Sequence, residues 1–402
     1  MKLSRIKFAD AFRVKHGYAF KGQYFDTSGP FVLLTPGSFN ETGGIRHQGE
    51  KTKFYAGDVP EGYVMDEGDL LVAMTEQAPG LLGSSLLVPE AGRFLHNQRL
   101  GRIMDLNEKL LDRRFLYHLF NTRSVRHQIS GSASGTKVRH TAPERIGRVE
   151  VAVPPVAIQR RVASIITAYD DLIENNRRRM VLLEESARLL YREWFVRLRF
   201  PGHESTRIVN GVPKGWSKVP LGDICTDSRE MVSPESLEPD TPYIGLEHMP
   251  RRSIALSDWG TAEQVTSSKL RFSKGDILFG KIRPYFHKVG IAFTGGVVSS
   301  DSFVIRPKTD ELKSFVLLTV SSDEFIADTS QSMKEGAKMP RADWKQMVQF
   351  PVMFPPSGLL ENFSESIQAI TDQLNNLCFQ NQKLLAARDL LLPKLMSGEI
   401  EV

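Results

Sequence analysis

The chain spells out one long helix twice. Stepping alternately four and three residues from Val162 visits Val162, Ile166, Tyr169, Ile173, Asn176, Met180, Leu183, Ala187, Leu190 and Trp194. Adding 201 to each number visits Phe363, Ile367, Ile370, Leu374, Leu377, Asn381, Leu384, Arg388, Leu391 and Leu395. Alternating fours and threes keep one stripe of side chains turned towards a partner helix. Two stripes at one constant offset imply a duplicated unit that ends in a long helix with an apolar seam.

The offset of 201 extends beyond the helices. Gly135-Thr136-Lys137-Val138-Arg139 maps onto Gly336-Ala337-Lys338-Met339-Pro340, and Pro154-Pro155 onto Pro355-Pro356. Further upstream the offset drifts. Gly68-Asp69-Leu70-Leu71 matches Gly275-Asp276-Ile277-Leu278 at 207, and Phe8-Ala9-Asp10 matches Leu221-Gly222-Asp223 at 213. Insertions are thus confined to the globular parts, as expected when helix length is constrained and the globular surface is free to vary. Two repeats are too few for a solenoid. The expected segments are 1–155 (globular), 156–200 (helix), 201–355 (globular) and 356–402 (helix).

The expected class is mixed α+β; a length of 402 residues suits two or three domains, and 41% hydrophobic with 25% charged residues suits an ordinary globular protein. No apolar run is long enough to span a membrane. Basic residues near Met1 are not followed by an apolar stretch, so a secretory signal is not expected. Cys225 and Cys378 are too few and too far apart for a disulfide framework. A cytoplasmic protein with inert thiols is the expectation.

Strand-like runs are expected at 31–34, 69–74 and 149–153, then at 243–246, 276–279, 297–305 and 349–354. One helix per globular half is expected, over 112–129 and 311–329. The first long helix should run from about Ala157 to Arg197, roughly 60 Å at 1.5 Å per residue. The second should kink or stop near Leu392-Pro393. Each seam carries one asparagine. If the helices pair antiparallel with flush ends, residues whose numbers sum to 557 face each other, and Asn176 meets Asn381. Parallel pairing would set Asn176 against Leu377 and leave a buried amide unpaired, at a cost of about 1–3 kcal/mol. Antiparallel pairing is therefore expected, with Asn176 and Asn381 fixing the register.

Several stretches resemble the specificity subunit of type I restriction–modification systems. They are Gln159-Arg160-Arg161-Val162-Ala163, the run from Ala168 to Arg177, and Glu193-Trp194-Phe195-Val196-Arg197-Leu198-Arg199-Phe200-Pro201-Gly202-His203. Pro213-Lys214-Gly215-Trp216 and the ending from Leu390 to Ile400 are also similar to that family. The second helix departs from the family at its start, Leu359-Leu360-Glu361-Asn362-Phe363. The resemblance implies two target-recognition domains separated by two antiparallel coiled-coil helices, with a pseudo-two-fold internal repeat. It implies that each domain reads half of a split, asymmetric site on double-stranded DNA, while the helices set the gap. It also implies two methyltransferase (modification) subunits along the helices, joined by restriction and translocase subunits in a host-defence complex.

A net charge of +5 is compatible with a polyanionic partner. The run from Ser130 to His140 sets small residues beside Lys137, Arg139 and His140, and Lys334, Lys338 and Arg341 recur in the second half. Such loops approach phosphates closely, and Lys or Arg supplies sequence-independent affinity. Base-edge readers are sought in polar loops: Tyr18, Phe20, Lys21 and Gln23; Thr75-Glu76-Gln77; and Lys281, Arg283, Tyr285, His287 and Lys288.

A catalytic site is harder to find. No Gly-x-x-x-x-Gly-Lys-Ser/Thr phosphate cradle exists, and no Asn-Pro-Pro-aromatic sequence for amino-methylation. Gly131 to Gly135 has Ala133 where a nucleophile elbow needs serine. Pro239-Asp240 and Glu311-Leu312-Lys313 lie too far apart to suggest a nuclease metal site, and the histidines show no ligand spacing. The expectation is a non-catalytic recognition subunit with no metal or cofactor. The alternatives are a stand-alone site-specific nuclease and a coiled-coil adaptor without DNA specificity.

Overall fold

The computed structural model describes residues 3–46, 48–76, 80–331 and 339–402. Its contacts fall into two units, Met1–Leu172 with Leu384–Val402, and Ile173–Lys383. Each unit holds most of one globular half plus stretches of both long helices.

In the first unit, Ser4–Lys7 pairs antiparallel with Glu150–Val153, tying the start of the globular half to its end. An antiparallel sheet follows in the order Arg13–His16, Leu100–Met104, Leu70–Ala73, Ser85–Leu87. A second sheet orders Phe25–Asp26, Phe54–Tyr55, Phe31–Leu34 and Phe94–His96, the last pair parallel. Phe8, Phe115, Phe120, Val162, Ile166, Leu395 and Met396 share one core, so ends of both long helices are packed into this unit.

The second unit repeats the scheme. Ser217–Pro220 pairs with Pro351–Phe354. One five-stranded sheet runs Cys225–Asp227, Ser302–Pro307, Ile277–Gly280, Val289–Ala292, Ala255–Leu256. The other runs Met231–Val232, Lys269–Phe272, Gly296–Val298, Pro242–Ile244, Gly260–Thr261.

The repeated Gly-Asp pair now has a physical cause. Gly68 and Gly275 sit at φ 79° and 91°, where a side chain is strained. The carboxylate that follows closes the turn, Asp69 accepting from the amide of Asp66 at 2.8 Å and Asp276 from that of Ser273 at 2.7 Å. Each aspartate also holds an arginine on the neighbouring strand, Arg102 at 2.7 Å and Arg306 at 2.9 Å. Both carboxylates are buried, so losing either arginine would strand a charge.

Four expectations need correction. The helix expected over 112–129 is two, Arg113–Phe120 and Arg123–Gly131. That over 311–329 is likewise two, Lys313–Val320 and Asp323–Gln331, after a short 3-10 turn. Thr122 has extended backbone at the first break, and at the second the Ser322 hydroxyl accepts from the amide of Phe325 at 3.1 Å. Such residues favour starting a helix over continuing one. The strand expected over 297–305 is split into Gly296–Val298 and Ser302–Pro307.

The fourth concerns Pro393, which does not stop its helix: Ser357–Ser397 is helical throughout. Burial of Leu395 and Met396 in the first core outweighs the hydrogen bond the proline forfeits. The central helix is α-helical over Val156–Tyr191 and closes with one π-helical turn, Arg192–Val196. None of the described helices is long and apolar enough to cross a membrane.

Candidate nucleic-acid interface and the helix pair

The fold brings candidate residues from distant parts of the sequence into two clusters. In the first unit Arg139-His140 pairs as a short strand with Thr75-Glu76, and a bridge between Ser134 and His140 closes the loop between them. Gly135 turns that loop at φ 98°, where a Cβ would lie 2.1 Å from the carbonyl oxygen of Val138. Only glycine fits there. Lys137 is left exposed.

The second unit builds the same arrangement with other residues. Ile282 bridges Arg341, the Arg283 amide donates to the Pro340 carbonyl at 2.9 Å, and the Ala342 amide donates to Lys281 at 2.9 Å. Lys281, Arg283 and Arg341 are thereby gathered. Gln77, Lys334 and Lys338 lie outside the described residues.

The side chains divide into committed and available groups. Glu76 is buried and accepts from the amides of Gly80, Leu81 and Leu82 at 3.1, 2.9 and 2.8 Å, with Arg139 alongside at 3.1 Å. It shapes the loop, which corrects its reading as a base contact. His287 is corrected likewise: it is buried, and its Nε2 lies 2.7 Å from the Ser321 carbonyl. The Lys288 ammonium is committed to the Leu246 carbonyl.

Lys281 donates to Ser300 O at 2.8 Å and lies 4.5 Å from the centre of the Phe303 ring. Burial lowers its pKa. Arg341 pairs with Asp301 at 2.9 Å and His140 touches Thr75 Oγ1 at 3.2 Å, both still reaching solvent.

Tyr18 and Lys21 follow the strand Arg13–His16, and the Tyr18 amide donates to the His96 carbonyl at 2.9 Å. Tyr18 packs its ring against Phe20 and Tyr63, and Phe20 is buried. Lys21 is exposed, just before the turn Gly22–Tyr24.

The two halves differ in charge at matching places. At offset 207 the carboxylate of Glu76 is replaced by the guanidinium of Arg283, and at offset 201 His140 is replaced by Arg341. One scaffold thus carries chemically different side chains at matching places.

Within the second unit Asn176 Nδ2 donates to Asn381 Oδ1 at 3.0 Å, both residues buried. The Trp194 and Phe363 rings, whose numbers also sum to 557, lie 5.7 Å apart. In the first unit Arg388, where the seam rule asks for an apolar residue, pairs with Asp170 at 2.8 Å. The helices run antiparallel in each unit. A double Asn176→Leu, Asn381→Leu variant is expected to gain stability, because a polar pair in an apolar seam fixes register at a cost in stability. It should also lose fidelity of register, read as broadened exchange at seam amides. A drop in melting temperature would contradict this.

Three anchoring residues escaped the sequence reading. Gln159 is fully buried and bonds the Asp112 amide and the carbonyls of Leu110 and Pro154, tying the first helix to its globular half. At offset 201 stands Leu360, which packs into the second core instead. Glu184 accepts from Ser253 Oγ and from the amides of Ile254 and Ala255 at 2.6, 3.2 and 3.3 Å, and burial raises its pKa. Arg388 is the third. Its place in the seam was the one available signal, a charge where an apolar residue belongs.

The central helix carries a second apolar stripe outside the seam. Leu182, Leu189 and Val196, seven residues apart, are 62%, 52% and 43% exposed. They border a cleft of about 460 Å³ that Arg188, Arg192, Arg252 and Asp323 also line.

Comparison with known proteins agrees with the duplication. The family described as type I restriction modification DNA specificity domain matches twice, over residues 4–185 and 213–382. The specificity subunit of the type I restriction enzyme MjaIX from Methanocaldococcus jannaschii is 23% identical over 301 residues, 72% of this chain and 69% of that one. The EcoDI specificity subunit from Escherichia coli is 23% identical over 299 residues, 68% of this chain and 65% of that one. The alignments thus span about two-thirds of either relative. A crystallised type I restriction–modification S subunit from M. genitalium has a TM-score of 0.63 at 15% identity, covering 98% of this chain and 96% of its own. At that identity the likeness speaks for the fold alone.

Proposed function

The chain belongs to the type I restriction–modification DNA specificity family, and from that premise we propose that it is the DNA-recognition subunit of a type I restriction–modification complex. Residues 1–155 and 201–355 are the two target-recognition domains, each reading one half of a bipartite, asymmetric site. Residues 156–200 and 356–402 form the helix pair that sets the gap and docks two methyltransferase subunits. Restriction and translocase subunits complete the assembly. The chain itself supplies recognition, and its partners supply methylation, ATP hydrolysis and cleavage. It works in the cytoplasm, which suits two buried thiols whose pKa values burial pushes up to about 12 at Cys225 and about 11 at Cys378.

One observation carries this reading. The same strand pairing occurs once per unit with different charged residues, Lys137, Arg139 and His140 in one and Lys281, Arg283 and Arg341 in the other. Lysine and arginine hold phosphates wherever they lie, whereas different side chains at matched positions suit different base edges. The exposed stripe of Leu182, Leu189 and Val196 supports docking of a partner helix, since its spacing is that of a coiled-coil face.

The test is selection from a duplex pool randomised throughout, using the chain assembled with its methyltransferase subunit. Two short conserved blocks separated by a gap of fixed length and free sequence are expected. Binding should weaken steeply with salt. A single block, or no preference at all, would contradict the proposal. Cleavage by the purified chain with Mg²⁺ alone would favour the nuclease alternative.

A further inference from the structure

The second unit carries a strained strap beside its loop cluster. The turn Pro284–Phe286 is flanked by Arg283 at φ 51° and His287 at φ 56°, both left-handed and neither glycine. Non-glycine residues keep such backbone only where the surroundings over-determine it, and they concentrate at functional sites. Here the surroundings do so from several sides. The Arg283 amide is held by Pro340 O, the His287 ring by Ser321 O, and His287 O accepts from the amide of Arg252 at 3.0 Å.

At the tip of this strap Tyr285 is half exposed, while its neighbour Phe286 lies 3.8 Å from the Arg251 guanidinium and 5.0 Å from the Tyr285 ring, edge to face. The result is a half-exposed aromatic ring on a firmly held stretch of backbone, beside guanidinium groups. A flat π surface near cations suits one ligand class above others: a nucleobase with its phosphates close by.

We propose that Tyr285 stacks on a base of the half-site read by residues 201–355. The inference rests on the reading of that region as a DNA-recognition domain. Stacking on a duplex base requires that one of its faces be opened, by a kink or by extrusion of a neighbour. A ring on a rigid mount is suited to fill the opened face, because little side-chain freedom is lost on contact. At offset 207 Tyr285 matches Ala78, which has no ring, so this contact belongs to one half-site only.

The experiment is duplex-pool selection with the full chain assembled with its methyltransferase subunit, comparing wild type, Tyr285→Phe and Tyr285→Ala. Tyr285→Phe keeps the ring and is expected to select both blocks as wild type does. Tyr285→Ala is expected to lose preference by about tenfold at one or two adjacent positions of one block, the scale of a single base–aromatic stack. The other block should be untouched, which also shows that the variant is folded and assembled. Unchanged preference in Tyr285→Ala overturns the inference. So does a Tyr285→Phe that behaves like Tyr285→Ala, which would assign the contact to the hydroxyl, and so does loss of both blocks together. If wild type itself selects no pair of blocks, the underlying reading falls, and this inference with it.

Discussion

Replacing Phe195 with alanine is expected to lower the melting temperature of the second unit by about 10 °C, with the transition of the first unit left in place. Phe195 sits in the π-helical turn that ends the central helix. Its ring centre lies 4.7 Å from Phe363, 4.8 Å from Phe315 and 5.7 Å from Trp216. One side chain thus joins the central helix, the C-terminal helix and the globular part of its unit. The Phe200 ring, tilted by 39°, lies 4.8 Å from that of Trp216, so the latch includes the segment that leaves the helix. Truncating a buried phenylalanine costs about 3–5 kcal/mol, and in a unit of this size each kcal/mol shifts melting by about 2–4 °C. Calorimetry resolves the transitions. A single transition unchanged in Phe195→Ala would mean that the aromatic cluster does not hold the second unit together.

Acid is expected to weaken the first unit between about pH 6.5 and pH 4. His96 and His118 are both buried there, and burial pushes each pKa down to about 4. Above about pH 6.5 both are neutral in folded and unfolded chains alike, and nothing is lost. As pH falls towards 4 the unfolded chain takes up two protons that the folded unit refuses, so stability declines. Below about 4 both states are protonated and the loss levels off. Each histidine contributes a loss of about 3 kcal/mol over that window.

In the second unit burial also lowers the pKa of one histidine, His287, but Glu184 acts in the opposite direction, because its raised pKa lets the folded unit take up a proton early. All four tryptophans, Trp194, Trp216, Trp259 and Trp344, lie in the second unit. An acid titration should therefore lose far-ultraviolet circular dichroism before tryptophan fluorescence changes. His118→Gln should narrow that separation. Coincident curves in the wild type would contradict the assignment.

What could be read from the sequence, and what could not, follows from the physics. The seam was legible because it is local and periodic, and the antiparallel order followed from two asparagines that had to meet. The duplicated turn at Gly68-Asp69 and Gly275-Asp276 was visible as letters before its hydrogen bonds gave it a reason. The stretch from Trp194 to His203, with Pro213 to Trp216, carried the family resemblance, and the same stretches form the aromatic latch. Such packing tolerates few substitutions.

The misses have two origins, one remote in sequence and one local. Whether Glu76, His287 or Glu184 faces solvent or a buried amide is decided by segments remote in sequence, and periodicity does not report it. The helix breaks at Thr122 and Ser322 are a competition between capping and continuation that the composition leaves nearly balanced. Pro393 does not stop its helix because Leu395 and Met396 beyond it are buried, which local chain stiffness does not report.

The most direct test of the proposed mechanism changes the length of the helix pair alone. Seven residues inserted after Arg178 and seven after Phe379, positions whose numbers sum to 557, keep both seams in phase. They lengthen the pair by about 10 Å, equivalent to about three base pairs at ~3.4 Å each. Methylated sites mapped across the DNA of a host carrying the complete system should then show the same two half-sites with the gap longer by about three base pairs. The same half-sites at an unchanged gap would contradict the role assigned to the helices.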